Sequence, residues 1–452
     1  MIRTIRNKSF RIIISLCVLY PLCIPAADCG ETAVLSPPVS SIRRAVEHIR
    51  KKTFTRAVKT GVKTSEQITE VLKEQFKKEL PEALLLFHTV LYREFDLVPE
   101  GYDLKKGLIN LLSGQIGGYY NPKEKTFYIS EKSMLFRDMI IAHELTHALQ
   151  DCSLDLDRII ALEDLGFSSA STDRNDDIAR ARLSFFEGEA QMVMSLYVQK
   201  GYASVPDVTL KDVLNLMFSQ MQMNITPRAI ADQLMYPYIN GHTFIQEFHS
   251  RDRWKSIESM YKHLPRSSEQ ISHPEKYIAG EDPVIIRIKG LRSLQQAGWK
   301  KTGENSMGEF MTYQAVKSLT GDFVKGIRAS CGWGGDTFTA FSKEDETLIV
   351  WYTAWDTAKD SSEFFTYLGE GIKRNMSAGS VSIIRQDSGL LHIKDSPSVL
   401  IRKSGKDVVY VSCSEDQLLL QTDTFLKGVE HLSWDEAFPA DRVLKKNREK
   451  GK

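Results

Sequence analysis

Much that would place this chain in a familiar class is missing from it. No Cys-x-x-Cys spacing occurs in the 452 residues, so a metal site built from cysteine pairs is not supported. Cysteine is scarce altogether, six in the whole chain, which is far from a disulfide scaffold. Charge of one sign is not in excess either: the formal net charge is +1, which gives no reason to expect a nucleic-acid partner. There is no internal repeat and no low-complexity tract. No apolar run reaches the roughly 20 residues a membrane-spanning helix needs. At this length one ordinary core does not suffice, and two domains are expected.

The first eleven residues carry Arg3, Arg6, Lys8 and Arg11 and no acid. An apolar stretch from Ile12 to about Ile24 follows, broken by Pro21, and small residues sit at Ala26 and Ala27. This is the pattern of an export leader over 1–27, so the chain is expected outside the cytoplasm with no stable membrane span once the leader is removed. Cys29 follows Asp28, a poor setting for lipid attachment. Cys17 and Cys23 leave with the leader. Of the remaining Cys29, Cys152, Cys331 and Cys413, the pair Cys331–Cys413 is the first disulfide expected, because both lie in the C-terminal half.

Residues 28–40 read as a linker around Pro37 and Pro38. From Ser41 to about Leu80 the pattern is helical, with Ser65 placed to cap its second part, and another helix is expected over 81–95. Gly114-Gln-Ile-Gly-Gly-Tyr-Tyr120 and Thr126-Phe-Tyr-Ile-Ser130 are aromatic and β-branched around the turn-forming Asn121-Pro-Lys-Glu-Lys125. They predict a β-hairpin. A helix capped by Ser133 follows to about Gln150, with Leu135, Met139, Ala142, Leu145 and Leu149 as its apolar stripe. A further helix is expected over 178–200, and more through about 262. Beyond 281 the texture changes to short strands (284–288, 337–341, 347–352, 381–384, 408–412) among helical stretches at 304–319, 358–374 and 415–427. The fold class predicted is α+β: a mostly helical domain over 41–280 with a hairpin before its central helix, then a smaller α+β domain over 281–440 and a basic tail over 441–452.

The chemistry is concentrated in Ala142-His-Glu-Leu-Thr-His-Ala148. On a helix, residues four apart lie one turn above each other, so His143 and His147 can reach a single Zn²⁺. Glu144, beside them, is placed to act as general base toward a water. The third ligand is expected from Glu187-Gly-Glu189 on the helix over 178–200. Helical geometry alone does not choose between the two glutamates, which flank the apolar stripe on opposite sides. Cys331-Gly-Trp-Gly-Gly-Asp336 lacks the lysine and helix of a phosphate loop and reads as a tight turn with Trp333 filling a gap. His242 and His249 are expected to pack or to face solvent.

H-E-L-T-H followed by a helix bearing E-G-E-A resembles the gluzincins, zinc peptidases whose third ligand is a glutamate on a second helix. The resemblance implies a zincin-like fold, a peptide or protein substrate, Glu144 as catalytic base, and Glu187 as the ligand, because it stands three residues before Ala190. An acid that the family places four residues after the ligand is absent here, where Gln191 stands, which leaves the orientation of the histidines unexplained. The family also draws an oxyanion donor from a later His or Tyr. His273 is the first candidate, followed by Tyr277 and Tyr238. The segments G-G-Y-Y-N-P, S-S-E-Q-I-S-H-P-E-K-Y, G-W-G-G-D and W-D-T are further similar to a group of uncharacterised bacterial metallopeptidases. The competing expectations are a zinc-fold binding protein without catalysis, and a zinc hydrolase acting on a non-peptide cell-wall amide.

Overall fold

A computed structural model describes residues 13–15, 38–79, 81–115, 117–122, 124–131, 136–165, 167, 171–203, 225–376, 382–387, 389–394, 397–414 and 422–439. Apart from Ile13–Ser15, the expected leader lies outside these residues, as do Cys29, Ser133, Leu135 and the tail over 441–452. The fold is α+β, and it divides into two compact units that interleave along the sequence. The first comprises residues up to Pro81 together with Asp103–Ala161 and Leu183–Leu264; the second comprises Glu82–Tyr102, Leu162–Arg182 and Pro265 onward. The linear cut drawn near 281 therefore does not follow the contacts. Among the described residues no helix is long and apolar enough to cross a membrane.

In the first unit the hairpin forms as its turn chemistry dictates. Strands β3 (Gly118–Asn121) and β4 (Thr126–Ser130) pair antiparallel, and Asn121 Oδ1 accepts from Glu124 N at 3.2 Å inside the turn. Two further strands complete a sheet in the order β1-β3-β4-β2. β1 (Ile13–Ser15) runs antiparallel to β3, with Ser15 opposite Gly118, and β2 (Lys59–Lys63) runs parallel to β4. β2 corrects the expectation of unbroken helical pattern from 41 to 80. The helix Val39–Arg50 ends at Lys51, whose φ of 59° is left-handed, and the next helix, Ser65–Glu79, starts only after the strand. Its cap is Thr64 rather than Ser65: Thr64 Oγ1 accepts from Gln67 N while Gln67 Oε1 accepts from Thr64 N, a reciprocal cap that satisfies two orphan donors. The sequence K-T-G-V-K has no apolar alternation, so nothing in it signalled a strand.

Behind the sheet lies the helix Arg137–Ser153, called here the histidine helix. It is buried nearly all round, Ile140 through Asp151 without a break, so the one-sided stripe expected for it is too narrow. A helix in that position is central rather than superficial. The glutamate helix (Asp176–Gln199) and the helix Arg228–Asp252 complete the layer.

The second unit is built on a seven-stranded antiparallel sheet, order β6-β7-β8-β12-β11-β10-β9. These strands are β6 (Lys300–Asn305), β7 (Trp333–Lys343), β8 (Glu346–Trp355), β9 (Ser382–Asp387), β10 (Leu390–Lys394), β11 (Ser398–Ser404) and β12 (Asp407–Cys413), while β5 (Ile285–Ile288) pairs antiparallel with β13 (Val429–Leu432) in a separate two-stranded sheet. The helices Gly308–Thr320 and Ala358–Asn375 pack on the sheet. Residues such as Leu294, Trp299, Leu348, Val350, Val409 and Val411 form a core cluster. Strands β6, β10 and β11 were not anticipated. The first reads K-K-T-G-E-N and is polar, and the other two are short runs whose period is ambiguous.

Glycine at 335 is required by packing, since a Cβ there would lie 2.1 Å from Val284 O. Asp336 beside it gathers five donors at 2.9–3.1 Å: Ser306 Oγ, the amides of Met307 and Gly308, and the indoles of Trp333 and Trp351. That segment is thus a buried joint at the start of β7. The disulfide expected between Cys331 and Cys413 is absent: Cys331 is exposed at a helix end and Cys413 buried at the end of β12, and neither is crosslinked.

Candidate metal centre

Three buried side chains of the first unit converge. His143 Nε2 lies 3.1 Å from Glu187 Oε2 and 3.1 Å from His147 Nε2, and His147 Nε2 lies 3.4 Å from Glu187 Oε2. All three are fully buried. Four-coordinate zinc holds nitrogen and oxygen ligands at about 2.0–2.2 Å, which at a tetrahedral angle sets donors about 3.3–3.6 Å apart. The observed triangle is close to that size.

Its charges also call for a cation. Burial alone would lower His147, yet the Glu187 carboxylate pushes it up to about 9. Burial would raise Glu187, yet the two imidazoles bring it down to about 2. His143 is lowered, chiefly by burial. The trio thus takes up a proton when nothing else positive is there. His143 Nδ1 and Glu187 Oε1 are buried with no hydrogen-bond partner among the described residues. The donor set of two imidazoles and a carboxylate suits Zn²⁺.

The two glutamates that helical geometry alone does not separate have different surroundings. Glu187 faces the imidazoles. Glu189 turns away: its Oε2 accepts from Tyr261 Oη at 2.5 Å and Gln150 Nε2 at 3.0 Å, and its Oε1 is paired with Arg50 Nε. Gly188 between them is a packing requirement. A Cβ there would fall 2.1 Å from Gly241 O, and one on Gly241 would fall 2.0 Å from Ser184 O. The glutamate helix and the helix Arg228–Asp252 therefore touch backbone to backbone beside the ligand.

The hairpin is fixed to the histidine helix by Asp151, one turn beyond His147. Its Oδ2 accepts from Tyr120 Oη at 2.9 Å, Lys125 Nζ at 2.7 Å and Arg56 Nη2 at 2.8 Å. This places β3 against Glu144: a Cβ on Gly118 would lie 3.5 Å from Glu144 Oε1 and 2.8 Å from Ile140 Cγ2.

Of the three candidate oxyanion donors, Tyr238 belongs to this unit. It is buried, and its ring lies nearly parallel to that of His143 at 6.5 Å between centroids. His273 and Tyr277 belong to the second unit. His273 Nε2 is engaged there by Glu309 Oε1 at 2.8 Å, which raises it above its ordinary value. His249 is buried edge-on to Trp254 at 4.6 Å. Sequence reasoning missed Arg50, Gln150 and Tyr261; Gln150, three residues after His147 on the same helix, could have been found from spacing, whereas no local pattern connects Arg50 or Tyr261 with the histidines.

Residues 293–422, within the second unit, match the profile of a domain of unknown function, DUF8575. No curated protein and no solved structure matches the chain.

Proposed function

We propose that the chain is an exported, zincin-like zinc metallopeptidase in which His143, His147 and Glu187 hold the ion and Glu144 is the general base. The observation that carries this reading is the buried triangle of donors with Glu144 on the same helix, facing the main chain of a sheet strand. Zinc bound there would supply Lewis acidity and a water acidified to near neutrality. Glu144 would take the proton as that water attacks the peptide carbonyl and pass it to the leaving amine. Tyr238, whose ring lies beside that of His143, stands with His273 as a candidate whose donor hydrogen would meet the developing oxyanion. Losing one such donor costs about 2.7–4 kcal/mol of transition-state stabilisation.

The substrate is read as an extended peptide pairing with β3. The outer edge of that strand takes an antiparallel partner, as Ile13–Ser15 does, and strand addition of this kind supplies affinity through the main chain. The test is zinc content together with hydrolysis of unfolded casein, for the protein and for Glu144→Gln. Zinc in both and cleavage by the unsubstituted protein alone is the expected result. Zinc in both with cleavage by neither would favour a binding protein, and no zinc uptake would end the reading.

A further inference from the structure

The histidines of a metal site need partners on their outer nitrogens, which fix ring orientation and tautomer. The acid expected for this after Glu187 is replaced by Gln191. The first unit contains another arrangement that answers the same need for one of the two rings.

His147 Nδ1 lies 2.8 Å from Gln150 Oε1. Which end of an amide faces a neighbour is decided by the rest of its bonds, and here they leave one answer. Gln150 Nε2 is spent on two acceptors, Phe186 O at 2.9 Å and Glu189 Oε2 at 3.0 Å. The amide oxygen is therefore the atom toward His147, so Nδ1 must carry the proton. Nε2, at the converging end of the ring toward Glu187 and His143, is then the nitrogen whose lone pair a metal would take. Glu189 is an acceptor held from three sides, by Gln150, Tyr261 and Arg50. Arg50 in turn lies 4.6 Å from the Trp254 ring centroid and pairs with Glu258 Oε2 at 3.0 Å. Trp254 is itself anchored to Ile49 O at 2.6 Å. Every link except Glu258 is buried.

We propose that Gln150 and Glu189, held by Tyr261 and Arg50, form a positioning relay that sets the tautomer and orientation of His147 for the metal. The relay rests on the metal-site reading above. It gives the second glutamate of E-G-E a purpose without making it a ligand. It also sets the two rings apart, because His143 Nδ1 has no such partner among the described residues.

The test uses zinc affinity by chelator competition and the visible spectrum of the cobalt-substituted protein, neither of which depends on turnover. Gln150→Met keeps the length and removes the acceptor, and zinc affinity should fall about 10–100-fold, with a changed cobalt spectrum. The exchanged pair Gln150→Glu/Glu189→Gln restores an acceptor for Nδ1 and a donor between the two positions, and should recover most of the loss. Tyr261→Phe, which removes a single hydroxyl, is the variant to use if Gln150→Met does not fold, and should weaken binding to a smaller but measurable degree. Wild-type affinity and spectrum in folded Gln150→Met, or in Tyr261→Phe if that is the variant in hand, would overturn the relay alone. Failure of the unsubstituted protein to bind zinc would overturn both readings, whereas zinc binding without casein cleavage would leave the relay standing.

Discussion

Each unit gathers three groups able to hold one ion, His143, His147 and Glu187 in the first and Glu269, Glu281 and Asp356 in the second. They differ in what lies among them. In the second, Lys276 Nζ reaches all three carboxylates, at 2.7, 2.5 and 2.5 Å. That cluster brings its own cation, and it ties the helix Pro274–Ala279 to the end of β8. In the first no lysine or arginine among the described residues pairs with Glu187, whose charge partners there are the two imidazoles. Buried charge must be paired with something. A cluster paired within the chain is a clasp, and a cluster without such a partner is a candidate site.

The sharpest way to break that contrast is Glu187→Ala, which removes one of three protein ligands. Elemental analysis should show zinc lost from the protein, with the second unit's clasp unable to retain it instead. Next in size is Gly241→Ala. Its methyl would press on Ser184 O, and overpacking of this kind costs about 1–3 kcal/mol. Denaturant unfolding should show the loss, and zinc affinity should fall with it. Lys276→Met should cost about 1–2 kcal/mol, since the clasp is half-exposed and one partner is being removed. Burial already pushes Glu269 up to about 8 against the pull of Lys276. The variant should also acquire weak, calorimetrically detectable Ca²⁺ binding that the unsubstituted protein lacks, turning the clasp into a site.

The smallest effect is one of pH. Burial pushes Asp177 up to about 7, against the Ser268 amide and Arg180, which pull it down. A carboxyl raised in the folded state is favoured protonated, so its contribution is complete below the unfolded value of about 4 and is lost as pH rises through about 7. Urea midpoints of Asp177→Asn should therefore gain on those of the unsubstituted protein between about pH 4 and about pH 7.

What the sequence made legible was local. The four-residue spacing of His143 and His147 and the turn chemistry at Asn121-Pro122 each depend on neighbours within a turn or two. Helical spacing did not separate Glu187 from Glu189, and only the resemblance chose between them, because what holds Glu189 away is Arg50, which lies 139 residues before it in the chain. His273 stood out as a loop histidine, yet its companion Glu309 is 36 residues on and in another helix. β2 was hidden by its own composition: lysine at both ends, glycine in the middle, and a Tyr128 ring lying where a Cβ of Gly61 would be. Cysteine count alone suggested a crosslink that burial of one thiol and exposure of the other do not support.

The bare main chain at Gly118 has a consequence for what the protein would accept. Residues directly opposite in an antiparallel pair turn their side chains to the same face. A peptide lying where Ile13–Ser15 lies would set one residue across from Gly118, on the face that looks toward Glu144, where Ile140 Cγ2 and Tyr128 O already stand 2.8 and 2.9 Å from where a Cβ on Gly118 would be. Its next neighbour would stand across from Tyr119 and point the other way. Selectivity along such a peptide would then be concentrated at a single alternating position, where the close approach of the histidine helix to the bare strand favours a small side chain.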